Sequence, residues 1–402
     1  MHILFLTQFY STPDCPAAAR HYAFLRHLGQ RHDVSLVTTR ALLDAAETGC
    51  FDLVPSGVHL HAVDTVYQNH MGALQRVRPY VRYAAGSLAR SLRLPPPDVV
   101  FASNTPLSVA VAGAAVARAR RAPLVLEVQD LWPDFPVQMG AIRSPLLRRA
   151  LYGLERRLYR SAAHVVATSP DMEAHVRRHG VPASRTDTLL YGTDIDLADD
   201  PTFDVSGTLR ETSGIGDAHV LLYAGSFGRA NDIPTLIETA RLLRHRADLV
   251  FVFMGQGYHA AALQEAVASL PNVRLLPPQP RHRTFSWFRL ATLSVVSFID
   301  LPVLSANSPA KFFDSLAAGT PVIVTNPGWT KQFVEAHRCG WYVPPSRPEH
   351  LAHQIVEAVA SPDDMREAGK RGSEAAHRLF DRRVMAPRFE DILLDAMRSS
   401  RG

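Results

Sequence analysis

Cysteine is scarce in this chain. Its 402 residues hold three, Cys15, Cys50 and Cys339, and no two form a CxxC pair. An odd, widely spaced set excludes a disulfide framework and a cysteine zinc site, so a reducing cytoplasm is the expected compartment. Long apolar runs are also missing: nothing approaches the roughly 18 apolar residues needed to span a bilayer. The opening Met1-His-Ile-Leu-Phe-Leu-Thr7 soon meets polar Gln8 and reads as a strand, not a signal peptide. Any meeting with a membrane is expected at the surface, on the inner face. A strong charge of one sign is absent as well. Lys plus Arg total 43 against 38 acids, a net +5 spread along the chain, which does not call for nucleic acid. Lysine contributes little to that total, since the basic residues are almost all Arg. Neither a repeat nor a low-complexity tract interrupts the sequence.

What is present is ordinary globular composition, 47% hydrophobic and 20% charged. The length suggests two domains of roughly 200 residues each. Short apolar runs alternate with longer amphipathic segments, the pattern of βαβ units and parallel sheets. In the first half the expected strands are His2–Thr7, Val34–Thr38, Val99–Ala102, Leu124–Val128 and His164–Thr168. Ala17–Leu28 and Leu146–Ser161 are expected helices. Ile195–Asp217, rich in Asp, Thr, Ser and Gly, reads as an interdomain linker and lead-in. The same alternation then restarts. Strands are expected at Val220–Ala224, Leu249–Met254, Val273–Leu275, Leu293–Ser297 and Pro321–Thr325. Helices are expected at Ile233–Arg246, Ala260–Ser269, Ala310–Ala318, His350–Ala360 and Asp363–Leu379, with Val384–Met397 folding back across the first domain. The fold class is therefore α/β, with two doubly wound Rossmann-like domains facing across a cleft and ligands at the carboxyl ends of the strands. The expected boundaries are 1–196, 215–380 and a final helix at 381–402.

Three segments carry candidate chemistry. In Leu222-Tyr-Ala-Gly-Ser-Phe-Gly-Arg-Ala-Asn-Asp232 a strand ends at Gly225, a tight turn follows, and a helix begins near Asp232 or Pro234. Such a loop offers backbone N–H groups and a helix N-terminus to an anion, and Arg229 adds a bidentate donor. A plain strand-to-helix turn is the simpler alternative. In Ser305–Val324, Pro309 pre-sets a helix on which Lys311 and Asp314 lie three apart, and Gly319 ends it. A carboxylate there suits sugar or ribose hydroxyls; a Lys–Asp surface pair is the alternative. In Leu126-Glu-Val-Gln-Asp-Leu-Trp-Pro-Asp134, a strand delivers Gln129 and Asp130 to its carboxyl end. Asp130 could take the proton of an acceptor hydroxyl, or simply form a turn beside a packed Trp132.

Together these segments resemble retaining glycosyltransferase family 4, whose two-Rossmann fold is called GT-B. More narrowly they resemble bacterial transferases that extend cell-surface polysaccharides, such as the N-acetyl-L-fucosamine transferases. The likeness covers nearly the whole chain. It rests on Gln8-Phe-Tyr10, Ala19-Arg20, Ser103-Asn-Thr-Pro-Leu107, Glu127-Val-Gln-Asp-Leu-Trp-Pro133, Tyr223-Ala-Gly-Ser-Phe-Gly-Arg229, Gly255-Gln-Gly257 and Pro309–Gly319. It implies a catalytic role for Asp130 and Asp314. It also implies a donor site of Gly225, Ser226, Gly228, Arg229, Gly255, Ser308, Lys311 and Asp314. The implied donor is a nucleoside diphosphate sugar, UDP before other nucleotides, with no metal and no other cofactor. The implied acceptor is a lipid-linked saccharide met by peripheral membrane contact, or a small aminoglycoside-like metabolite.

The sequence also departs from the family. Two glutamates seven residues apart are usual; here the second is Asp314 and the first falls on Ala306. The family's pyrophosphate-holding Arg and Lys fall on Ser226 and Asn231, so Arg229 and Lys311 are the nearest cations. The usual Asn-Gly-Val-Asp reads Tyr191-Gly-Thr-Asp194, and the first loop has Asp14-Cys-Pro-Ala-Ala-Ala19 where a glycine pair is usual. These departures motivate a non-catalytic nucleotide-sugar-binding partner as an alternative. A two-Rossmann 2-epimerase would need further acids and histidines. Leu74–Leu94, with Arg76, Arg78, Arg82, Arg90 and Arg93, is a basic amphipathic stretch suited to an anionic membrane surface or to a solvated helix face.

Overall fold

The computed structural model describes residues 1–13, 15, 19–39, 54–65, 71 and 73–401. The first-loop positions Asp14 and 16–18, and Cys50, lie outside the described residues. The chain forms two compact units. One comprises Met1–Leu190, Ala306–Ser308 and Arg382–Gly402; the other comprises Tyr191–Ser305 and Pro309–Asp381.

In the first unit the strands are β1 (His2–Leu6), β2 (Asp33–Thr39), β3 (Val58–Val63), β4 (Val99–Ser103), β5 (Leu124–Val128), β6 (His164–Ala167) and β7 (Thr186–Thr188). They form one parallel sheet in the order β3-β2-β1-β4-β5-β6-β7. Helices cover both faces, which is why the central strands are mostly apolar instead of alternating, Glu127 in β5 being an exception. The helix Arg382–Arg401 belongs to this unit and lies against the helix Arg20–Gly29. Its Phe389 stacks on Phe24 at 4.7 Å and meets Phe101 edge-on at 5.0 Å, while Phe5 and Phe101 are 4.3 Å apart. Each such buried ring contributes about 1.5–3 kcal/mol through removal from water.

The second unit has β8 (His219–Ala224), β9 (Leu249–Met254), β10 (Val273–Leu276), β11 (Leu293–Val296), β12 (Val322–Val324) and β13 (Gly340–Tyr342). They pair in parallel in the order β10-β9-β8-β11-β12-β13. The strand order therefore reverses between β1 and β4 and again between β8 and β11. Such a switch point is where doubly wound sheets present loops to ligands.

The stretch Ile195–Asp217, expected to be a linker, is folded. It forms short helices at Ile195–Asp199 and Ser206–Thr212 that pack on the helix Arg281–Leu290. Arg289 ties it down by donating to the Ala198 carbonyl and pairing with Asp204 at 3.7 Å.

Candidate active site

The glycine loop after β8 is held by a second loop. Gly225 N–H donates to Met254 O at 2.8 Å and Phe227 N–H to Gln256 O at 2.8 Å. At Gly255, φ is +153° and a Cβ would stand 1.9 Å from the Gly225 carbonyl oxygen. Only glycine fits so close a crossing at that backbone angle. Tyr223 anchors the turn by donating its hydroxyl to Ser226 O at 2.8 Å. Ser226 and Arg229 are exposed, and Arg229 stacks its guanidinium over the Tyr258 ring at 4.1 Å. The next helix, Ile233–Leu242, starts at Asp232, whose carboxylate accepts from the Ser346 N–H and hydroxyl, both at 3.0 Å.

Lys311 stands on the helix Ala310–Ala317, which Phe312 and Phe313 pin to Trp329 and Phe380. Its ammonium lies over the Tyr223 ring at 3.7 Å. A Cβ on Gly225 would come within 3.1 Å of its Cε, so the lysine tip rests on the glycine loop. No carboxylate pairs with it among the described residues, and burial pushes its pKa down to about 7. A desolvated cation without a counter-ion, set against a glycine loop, is a site for an anion.

Asp314, one turn on, does not pair with Lys311. It is buried, and Arg281 grips it from Nη2 at 2.9 Å and Nη1 at 3.2 Å. The Thr193 hydroxyl donates to its Oδ1 at 2.6 Å, and Arg281 Nε reaches Asp194 at 2.7 Å. Burial works against the charge on Arg281, but Asp314 and Asp194 outweigh it and raise its pKa. A carboxylate has about four acceptor sites, so after three hydrogen bonds Oδ2 keeps room for one hydroxyl. Sequence reasoning missed Arg281 and saw Asp194 only as the end of Tyr191-Gly-Thr-Asp194. The Asp194–Arg281–Asp314 arrangement accounts for why Tyr191-Gly-Thr-Asp194 sits beside this helix. Ser308 groups with the first unit, and its buried hydroxyl has no hydrogen-bond partner among the described residues.

In the first unit the end of β5 holds two acids in different states. Glu127 is fully buried and accepts from Arg20 Nε at 3.0 Å, His21 at 2.7 Å and the Gln129 amide at 2.6 Å. Burial alone would raise its pKa, but His21 and Arg20 overcome that and hold it down at about 2. Arg20 also donates to the Leu189 and Leu190 carbonyls. Glu127 is thus a fixed charge that sets the end of β5. A lone glutamate inside Leu124-Val-Leu-Glu-Val128 was the signal for such a buried partner set. Asp130 follows. Asn104 braces its turn by accepting from Gln129 N–H and donating to the Asp130 carbonyl, both at 3.3 Å. Burial pushes the Asp130 carboxyl up to about 7, with the Thr105 hydroxyl acting the other way. It is a carboxylate poised near neutrality.

Residues 17–192 match the glycosyl transferase 4-like domain, and residues 218–361 match the glycosyl transferases group 1. The D-inositol 3-phosphate glycosyltransferase of Paenarthrobacter aurescens is 27% identical over 223 residues, 52% of this chain and 53% of its own length. The alpha-D-kanosaminyltransferase of Streptomyces kanamyceticus is 24% identical over 213 residues, 52% of this chain and 54% of its own. The chain thus spans about half the length of the curated relatives it matches. The crystal structure of Anabaena HepE with UDP-glucose superposes with a TM-score of 0.71 at 18% identity, covering 98% of this chain and all of that one. The chain thus joins a glycosyl transferase 4-like domain to a glycosyl transferases group 1 domain, and its two doubly wound units have the GT-B fold.

Proposed function

We propose that this protein transfers a sugar from a nucleoside diphosphate donor, UDP first among nucleotides, to an acceptor hydroxyl with retention at the anomeric carbon. The observation that carries the reading is Lys311, a half-buried cation with no carboxylate partner among the described residues that rests on the Gly225–Gly228 turn. In this reading Lys311, Arg229, the loop N–H groups and the Ser226 and Ser308 hydroxyls meet the charge on the leaving diphosphate, so no metal is required there. Gly228 and Gly255 keep the loop backbone open to the phosphates. Asp314 Oδ2 accepts one donor hydroxyl while its other contacts hold the helix to Arg281. The bond from the anomeric carbon to the diphosphate breaks, and the acceptor oxygen bonds on the same face. The acceptor proton passes to the diphosphate oxygen, assisted by Asp130.

Retention follows from the family resemblance and is tested by NMR of the product anomer with a panel of UDP-, GDP- and TDP-sugars. Transfer with the donor's own anomeric configuration supports the proposal; an inverted product, or donor turnover that never needs an acceptor, removes it. The pH profile tests Asp130. Its raised pKa means that the base form is populated above about 7 and lost below it. Turnover is expected to fall as pH drops through 7, and Asp130→Asn should abolish that limb together with most activity. A profile unchanged by Asp130→Asn frees Asp130 of the role.

For the acceptor, we favour a lipid-linked saccharide reached from the membrane surface. No described helix is long and apolar enough to cross a membrane. The helix Pro145–Ser161 instead exposes Leu146 (81%) and Leu147 (48%) beside exposed Arg149, Arg156, Arg157 and Arg160. The helix Ala73–Ser91 exposes Val77 and Val81 among arginines. Each basic residue near an anionic leaflet contributes about 1 kcal/mol. Co-sedimentation with anionic vesicles at low salt, reversed at high salt, is the expected result. Protein left in the supernatant at low salt turns the reading to a small soluble acceptor, as the name of the D-inositol 3-phosphate glycosyltransferase suggests.

A further inference from the structure

The helices Pro145–Ser161 and Pro170–Arg178 bring together a cluster that the transfer reaction does not use. Glu155 is fully buried, and among the described residues its only ion-pair partners are imidazoles. His175 Nε2 is 2.9 Å from its Oε1 and His179 Nε2 is 3.5 Å from its Oε2. The three ligand atoms lie within 4.8 Å of one another. Glu155 Oε2 makes no well-formed hydrogen bond among the described residues, with the buried and likewise unpartnered Tyr159 hydroxyl nearby, although an unsatisfied buried carboxylate oxygen is costly.

The outer nitrogens are also provided for. His179 Nδ1 is 3.0 Å from the His175 carbonyl oxygen, which can only accept, so the proton belongs on Nδ1 and the Nε2 lone pair is free. His175 Nδ1 is 3.7 Å from Asp134 Oδ2, and the Tyr152 hydroxyl donates to the other Asp134 oxygen at 2.6 Å. A carboxylate or carbonyl behind each imidazole is the arrangement that orients metal-bound histidines. The two histidines are four residues apart, His175 in the helix and His179 at its C-cap. His179 keeps an edge to solvent at 17% exposure, which gives an ion a way in.

We propose that Glu155, His175 and His179 bind one divalent transition-metal ion, Zn²⁺ in preference to harder cations, with water completing a tetrahedral set. Two imidazoles and one carboxylate suit zinc, and the 2.9 and 3.5 Å separations of the imidazoles from Glu155 lie near the edge of a tetrahedron with bonds of roughly 2.0–2.2 Å. The ion braces one helix against the other and offsets the buried Glu155 charge.

The test strips the full-length protein with chelator, then titrates Zn²⁺ and, for spectroscopy, Co²⁺. One ion per chain, tetrahedral Co²⁺ absorption bands and a raised Tm are expected. His179→Ala and His179→Gln, replacing the ligand at the solvent edge, should retain native circular dichroism and lose all three signals. Asp134→Asn, which touches no metal, should weaken Zn²⁺ binding about 10–100-fold while keeping one ion per chain. Stripped wild type that takes up no Zn²⁺, or equal uptake by wild type and both His179 variants, would overturn the site and leave a buried histidine–glutamate pair.

Discussion

Lys311→Gln is expected to weaken UDP binding by about 1.5–3 kcal/mol, the worth of a hydrogen bond to a charged group. That is roughly a 10- to 150-fold rise in Kd. Glutamine removes the charge and keeps most of the aliphatic stem, and the lysine tip rests on Tyr223 and the Gly225 turn, so the fold should survive. The pH dependence gives a second signature. With its pKa lowered to about 7 by burial, Lys311 is mostly neutral at pH 8, and a bound diphosphate would recharge it. UDP binding at pH 8 should therefore take up protons and weaken as pH rises through 7. Calorimetry in buffers of different ionisation enthalpy measures that uptake, which should vanish in Lys311→Gln. An unchanged Kd in the variant takes Lys311 out of the site.

Arg281→Met should destabilise the protein by about 3–5 kcal/mol, the cost of stranding a buried charge. Arg281, Asp314 and Asp194 have side chains only 6%, 6% and 12% exposed, so water cannot replace the lost partner. Removing the guanidinium leaves two acids near each other, with the Thr193 hydroxyl still donating to Asp314. Denaturant unfolding reads the loss. The double variant Arg281→Met/Asp314→Leu should recover part of it, since a buried pair replaced by apolar side chains is often near neutral. A loss under about 1 kcal/mol in the single variant would mean that the network behaves like a surface ion pair.

The GT-B fold was legible because its central strands are buried on both faces and so appear as largely apolar runs. The strands that sequence reading missed are sheet edges. β3, Val58-His-Leu-His-Ala-Val63, alternates with histidine; β7 is only Thr186-Asp-Thr188; β13 is Gly340-Trp-Tyr342. Edge strands need not be apolar on both faces, and three residues carry no period. The folded stretch after Asp194 was hidden for a similar reason. Its helices are five to seven residues long and are held by Arg289 and Arg281 from a distant segment. The helix Arg281–Leu290 itself opens on Arg-His-Arg-Thr, without an apolar stripe to announce it.

For the site, glycine spacing and the Lys311–Asp314 helix picked out segments that the structure brings together, because those motifs are local. The partners were not local. His21 meets Glu127 across 106 residues and Arg281 meets Asp314 across 33. A buried charge in a sequence says that a partner exists, not which residue it is.

The most direct test of the donor site is a crystal structure of the protein grown with UDP. We expect the diphosphate against the Gly225–Arg229 turn, with a phosphate oxygen within about 3 Å of Lys311 Nζ. Clear UDP density with both phosphates away from Lys311 and the glycine turn would contradict the account.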